Sequence, residues 1–125
     1  MTLIQSNQTD KPLANLSLDL DNEWAYLKTH GDPIWESYPS YLNVVFPRIL
    51  PVLARRKLLI TVFVVGQDAA LEYNHEALAQ IASAGHEIGN HSLRHEPWLH
   101  LFSEHELEQE LAEAERYIRT ATGQK

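Results

Sequence analysis

Eight successive apolar or β-branched residues closed by a glycine, Leu58 to Gly66 (LLITVFVVG), constrain this chain more than any other segment. The run is too short for a membrane span and carries no polar alternation. It therefore suits a strand covered on both faces, as in a parallel sheet flanked by helices. The neighbouring patterns agree. Leu16 to Asp21 alternates, with leucines on one face and Ser17, Asp19 and Asp21 on the other, which is a period-2 strand. His86 to Ser92 (HEIGNHS) reads as a third short strand running into a loop.

Helical periodicity fills the gaps between these strands. From Tyr41 to Arg56, Leu42, Val45, Phe46, Ile49, Val52 and Leu53 recur at helical spacing, with Pro47 and Pro51 predicting a kink or break. Asn74 to Ala84 is a predicted short helix, with Leu78, Ile81 and Ala82 inward and Gly85 as its stop. Ser103 and Glu106 form a capping box for a final helix, whose expected buried stripe is Leu107, Leu111, Ala114, Ile118 and Ala121. Asn22 to Ser40, rich in aromatics, glycine and proline, is expected to be a long loop. The order strand, helix, strand, helix, strand, helix argues for an α/β fold of three parallel βα units with right-handed crossovers. Residues 1–13 are expected to form a flexible tail and 14–125 the folded part.

Composition narrows the chemistry. Ten basic and 17 acidic residues give a net charge of -7, which disfavours a phosphate backbone and so nucleic acid. With no cysteine, any metal must be held by His, Asp or Glu. No apolar run reaches the ~18 residues of a membrane span, and no signal-peptide core opens the chain, so a cytoplasmic location is expected.

Two pairs of residues stand out. His91 and His95 are four apart, a spacing that brings two imidazoles to one face of a helical turn and grips zinc. The same pair also fits ordinary surface or core histidines. Asp19 and Asp21 point the same way from a strand, ~6.6 Å apart, at the C-terminal end where parallel α/β folds place their sites. For this pair taken alone, a strand that simply ends in solvent is the better explanation. Together, Asp21, His91 and His95 offer one carboxylate and two imidazoles, a donor set that leaves coordination positions open, as catalytic zinc sites do. Asp19 then stands beside the metal without ligating it, placed to take a proton from water attacking a carbonyl.

Leu18-Asp19-Leu20-Asp21, Thr61-Val62-Phe63 and the stretch Gly85-His86-Glu87-Ile88-Gly89-Asn90-His91-Ser92-Leu93-Arg94-His95 resemble the polysaccharide deacetylase family, the NodB-homology domain of family 4 carbohydrate esterases. The resemblance runs from about Leu16 to Lys125. It implies a portion of a distorted (β/α)7 barrel and a metal-dependent hydrolase of acetyl groups on sugars or of related non-peptide carbon–nitrogen bonds. It assigns Asp19 as the general base and Asp21, His91 and His95 as ligands of zinc or another divalent metal. Many members have adjacent aspartates, whereas Leu20 separates them here, a form shared with peptidoglycan-deacetylase-like and amide-hydrolase members. The expected substrate is thus a carbohydrate or a small amide.

The family's later motifs include an arginine that orients the base and a histidine general acid, and they are expected beyond Lys125. The chain is accordingly read as an N-terminal portion, its loss of the acid costing ~10²–10⁴-fold in rate. A second reading is a non-catalytic metal-binding or interaction module derived from the same fold. Three strands alone leave open sheet edges, which predicts self-association.

The remaining polar residues have plainer expectations. His86 is expected in a structural role, and His100, His105 and Arg94 at the surface. Glu23 and Trp24 fit either the mouth of a cleft or an ordinary loop. The acidic run Glu104, Glu106, Glu108, Glu110, Glu113 and Glu115 is expected to form a solvated helix face.

Overall fold

The structure, a computed structural model, describes residues 12–124. Most of the expected tail therefore lies outside the described residues. Strands β1 (Ser17–Leu20), β2 (Thr61–Val64) and β3 (Glu87–Asn90) form one parallel sheet in the order β1-β2-β3. The register places Leu20 beside Val64 and Val64 beside Asn90, so all three strands end on one line. Helices α1 (Glu23–Thr29), α2 (Leu42–Arg56), α3 (Gly66–Ala69), α4 (His75–Ser83) and α5 (Glu104–Thr122) connect and follow them. The three-unit parallel α/β arrangement is as expected.

One face of the sheet makes the core. Leu20, Val62 and Val64 pack against Leu42 and Phe46 of α2, Leu78 and Ile81 of α4, and Ile118 and Ala121 of α5. The other face carries Ser17, Asp19, Thr61 and Phe63, which are exposed or half-buried. The apolar run of β2 is thus buried on one face and only partly covered on the other. It is also shorter than expected, because pairing sets its bounds. Leu58 and Leu59 protrude at 44% and 71% exposure, while Val65 and Gly66 turn into α3.

Three further expectations are corrected. Of the kink or break expected at Pro47 and Pro51, the break does not occur, since α2 runs through both. Both prolines lie on its exposed side, where water can satisfy the carbonyls that lose an N–H partner. The expected loop of residues 22–40 contains α1, whose N-cap Asn22 accepts from Glu23 N, and a short 3₁₀ turn at Trp35–Ser37. Trp24 and Ala25 of α1 bury themselves with Val65, Trp35 and Tyr38 in a satellite cluster. On α5 the capping box forms as expected, but Leu107 and Leu111 remain 36% and 41% exposed. The buried stripe instead begins with Glu110 and continues through Ala114, Ile118, Ala121 and Thr122. His86 is buried and accepts Ile60 N on Nδ1 at 3.2 Å, the structural role expected of it. Among the described residues no helix is long and apolar enough to cross a membrane.

Candidate metal centre

Asp21 and His91 each follow the last residue of an outer strand, with β2 between them. Strands ~4.8 Å apart separate the two backbones by roughly 10 Å, a gap that a carboxylate and an imidazole can close from opposite sides. Asp21 Oδ1 lies 3.2 Å from His91 Nε2 and 3.2 Å from His95 Nε2. Donor atoms of the three residues all fall within 4.8 Å of one another. Oδ1 is a buried atom without a hydrogen-bond partner, so the rings approach it without bonding it. Three donors converging on one unshared position fit a divalent cation, and carboxylate with two imidazoles is the donor set of open zinc sites. His95 Nδ1 departs from the usual arrangement, since it is buried with no partner to anchor the ring.

The histidine pair does not reach this point on a helical turn. Residues 91–95 form a loop in which Ser92 and His95 have φ of 62° and 55°, left-handed values uncommon for side-chain-bearing residues. Neighbours hold that backbone at several points. Asn90 Oδ1 accepts Ser92 N at 2.9 Å, and Ser92 Oγ accepts His95 N at 3.2 Å. Lys28 Nζ donates to Arg94 O at 3.0 Å while pairing with Glu96 at 2.6 Å.

The strongest of these anchors comes from a residue expected in solvent. Glu110 is 6% exposed, and its Oε1 accepts both Leu93 N at 3.1 Å and Arg94 N at 2.8 Å. Its sequence signal was its place one turn before Ala114 and two before Ile118, on the buried side of α5.

On the other side, the Tyr41 hydroxyl donates to Asp21 O. Burial, followed by the charges of Asp21, Asp68 and Glu23, raises the Tyr41 hydroxyl above its ordinary value. Burial also raises the Asp68 carboxyl, against the lowering effect of hydrogen bonds from Trp24 and Asn22. A cleft of about 700 Å³ opens from Asp21 and His95 between Glu23, Tyr26, His30 and Tyr41.

Asp19 lies outside the triad. It is exposed on β1 and pairs with Phe63, whose ring is 6.5 Å from that of His91. Glu23 lines the cleft, whereas Trp24 is buried behind it. Arg94, His100 and His105 are exposed.

Comparison with known proteins bears on this arrangement. A family model described as polysaccharide deacetylase matches residues 29–125. A chitooligosaccharide deacetylase of Sinorhizobium fredii is 35% identical over 94 residues, which are 74% of this chain and 42% of that protein. A CE4-family pseudoenzyme from Bacillus anthracis superposes with a TM-score of 0.66 at 27% identity, covering 93% of this chain and 34% of that one. A family 4 carbohydrate esterase from the same organism gives 0.61 at 26%, covering 89% and 43%. The chain therefore spans less than half the length of these relatives.

Proposed function

Because the chain belongs to the polysaccharide deacetylase family, we propose that its site serves a metal-dependent hydrolase of N-acetyl sugars or related non-peptide amides. Asp21, His91 and His95 would hold the ion, zinc being the metal their donors favour. The observation that carries this reading is the convergence of Asp21 Oδ1 and two imidazole Nε2 atoms at 3.2 Å without hydrogen bonds. A divalent ion bound there supplies Lewis-acid polarisation of the acyl carbonyl and makes a neighbouring water more acidic.

The protein's own residues do the rest. Asp19 lies on the exposed face of β1, two residues before Asp21, and its carboxylate makes no hydrogen bond or ion pair among the described residues. It is offered as the base that takes a proton from the attacking water. The cleft beside Asp21 and His95 admits the acyl donor, with Tyr26, His30 and Tyr41 as an aromatic lining.

A second reading, a metal-binding module without catalysis, is favoured by the likeness to a pseudoenzyme. One experiment separates them. Zinc per chain is measured after dialysis for the wild type and His91→Ala, alongside acetate release from an N-acetylglucosamine oligomer by the wild type and Asp19→Asn. The hydrolase reading expects near-stoichiometric zinc that His91→Ala loses, and acetate release that Asp19→Asn lowers by ~10²–10⁴-fold. Stoichiometric zinc without acetate release selects the module. A well-folded wild type that holds no zinc overturns both.

A further inference from the structure

Two loops deliver the candidate ligands, one carrying Asp21 and the other His91 and His95, and both are fastened to the same four-residue helix. The first two amides of α3, Gly66 N and Gln67 N, donate to Ser92 O and Leu93 O at 2.8 Å each, within the histidine loop. Its third residue, Asp68, holds the aspartate loop. Asp68 is fully buried, and its Oδ1 accepts Trp24 Nε1 at 2.8 Å and Asn22 Nδ2 at 3.1 Å.

Asn22 directly follows Asp21 and is itself fully buried. Its Oδ1 accepts Glu23 N at 3.1 Å and Tyr41 N at 3.2 Å, and Tyr41 in turn donates its hydroxyl to Asp21 O. Asn22 Nδ2 also donates to Ser40 Oγ at 2.8 Å, Ser40 Oγ to Asn74 Oδ1 at 2.6 Å, and Asn74 Nδ2 to Asp68 O at 2.9 Å. The ring of bonds from Asp68 through Asn22, Ser40 and Asn74 returns to Asp68.

A buried carboxylate is a poor way to fill a core. It is desolvated at a cost, and here Oδ2 has no partner to offset that cost. What Asp68 does accomplish is specific: it grips two side chains, Asn22 and Trp24, in the turn that follows Asp21. We infer that Asp68 is a positioning residue for the metal centre, fixing Asp21 through Asn22 against a histidine loop that the same turn of α3 holds by its amides. The inference rests on Asp21, His91 and His95 being metal ligands. Asp68 makes no hydrogen bond to any of the three, so its positioning effect reaches the site through Asn22, and the charge it also places near Asp21 and His95 is separated from that effect by Asp68→Asn. Groups that orient a ligand in this indirect way typically govern 10–100-fold in metal affinity.

The test is zinc affinity of the full chain, read by competition with a chromophoric chelator well below each variant's unfolding midpoint. Asp68→Ala removes the acceptor and is expected to weaken zinc 10–100-fold. Asp68→Asn keeps an oxygen for Asn22 and Trp24 and is expected to bind as the wild type does. Trp24→Phe removes the indole donor and part of a buried ring while leaving Asn22 in place, and is expected to lower the midpoint without changing affinity. If Asp68→Ala does not fold, Asn22→Ser decides, since serine still caps α1 but is too short to reach Asp68.

A folded Asp68→Ala, or in its absence Asn22→Ser, that binds zinc within about threefold of the wild type overturns this inference alone and leaves the metal centre standing. Affinity that falls in step with stability in every variant, Trp24→Phe included, also overturns it. A folded wild type without zinc binding overturns the inference together with the metal reading beneath it.

Discussion

Replacing Glu110 with alanine tests whether α5 holds the histidine loop or merely presents an acidic face. Glu110 Oε1 accepts two backbone amides, Leu93 N at 3.1 Å and Arg94 N at 2.8 Å. Bonds to a charged acceptor contribute roughly 1.5–3 kcal/mol each, and a buried amide left without a partner costs ~1–3 kcal/mol. The two amides differ in environment. Leu93 is 7% exposed, so its N–H stays unsatisfied, whereas Arg94 is exposed and water can replace its partner. The expected net loss is therefore about 2–4 kcal/mol rather than the full sum of two bonds.

A second effect follows from the backbone. Ser92 and His95 sit at left-handed φ, each a strain of order 1–2 kcal/mol that the anchors must overcome. Releasing Leu93 and Arg94 lets the loop relax and carries the His95 ring away from Asp21. Urea unfolding should thus show the 2–4 kcal/mol loss together with a 10–100-fold weaker zinc affinity. Glu110→Gln keeps the acceptor oxygen and should lose about 1 kcal/mol. Stability of Glu110→Ala within about 0.5 kcal/mol of the wild type would refute the argument, because that is the range of ordinary surface substitutions.

Two other substitutions probe neighbouring parts of the same scaffold. A Cβ on Gly89 would collide with the Phe63 ring, so Gly89→Ala should cost ~1–3 kcal/mol in thermal unfolding; wild-type stability would mean that the ring moves freely. Ser103→Ala removes the α5 cap and should cost ~1 kcal/mol by urea unfolding at neutral pH. Hydrogen bonds from the Ser103 backbone and side chain hold the Glu106 carboxyl below its ordinary value, so its share of the stability is present above the unfolded-state value and disappears as pH falls through the folded one. The cost of Ser103→Ala should accordingly shrink in acid, and a cost unchanged by pH would show that the reciprocal bond contributes nothing.

The parts of this protein that were legible in its sequence are those whose signal is carried by residue type. Leu18 and Leu20 against Asp19 and Asp21 declare a half-buried strand by alternation alone. Asp21, His91 and His95, which the structure brings together, were legible only in combination, since carboxylate and imidazole are the donors left to a chain without cysteine. Where the outcome turned on backbone angle or helix rotation, residue type was silent. Ser92 and His95 adopt left-handed conformations with no glycine to announce them, so a four-residue spacing that suggests a helix is instead a tight loop.

Rotation of α5 explains the other misreadings. Leu107 and Leu111 continue the spacing of Ala114 and Ile118 well enough to suggest a stripe, yet the buried face passes through Glu110. One acid among six on a helix looks solvated until the amides it meets are known. α1 escaped notice because it spans only 7 residues and its defining signal, the Asn22 cap, resembles any Asp-Asn turn.

β2 contributes no ligand, yet it sets the dimension on which the site depends. Asp21 and His91 project from strands on either side of it, and a parallel ladder fixes their separation at two inter-strand spacings, roughly 10 Å. That distance suits a carboxylate and an imidazole that meet in the middle, and it would be halved if β1 and β3 were neighbours. The ladder holds only because Val62 and Val64 are fully buried, which anchors the central strand to α2, α4 and α5. Immediately after it, α3 grips both ligand-bearing loops, the histidine loop by the amides of Gly66 and Gln67 and the turn after Asp21 by Asp68. The apolar run that most constrains the fold is therefore also the ruler of the site. Among the described residues, the groups that converge on Asp21 Oδ1 belong to the loops that leave the strands, so the candidate donor set is a local construction of this segment of the barrel.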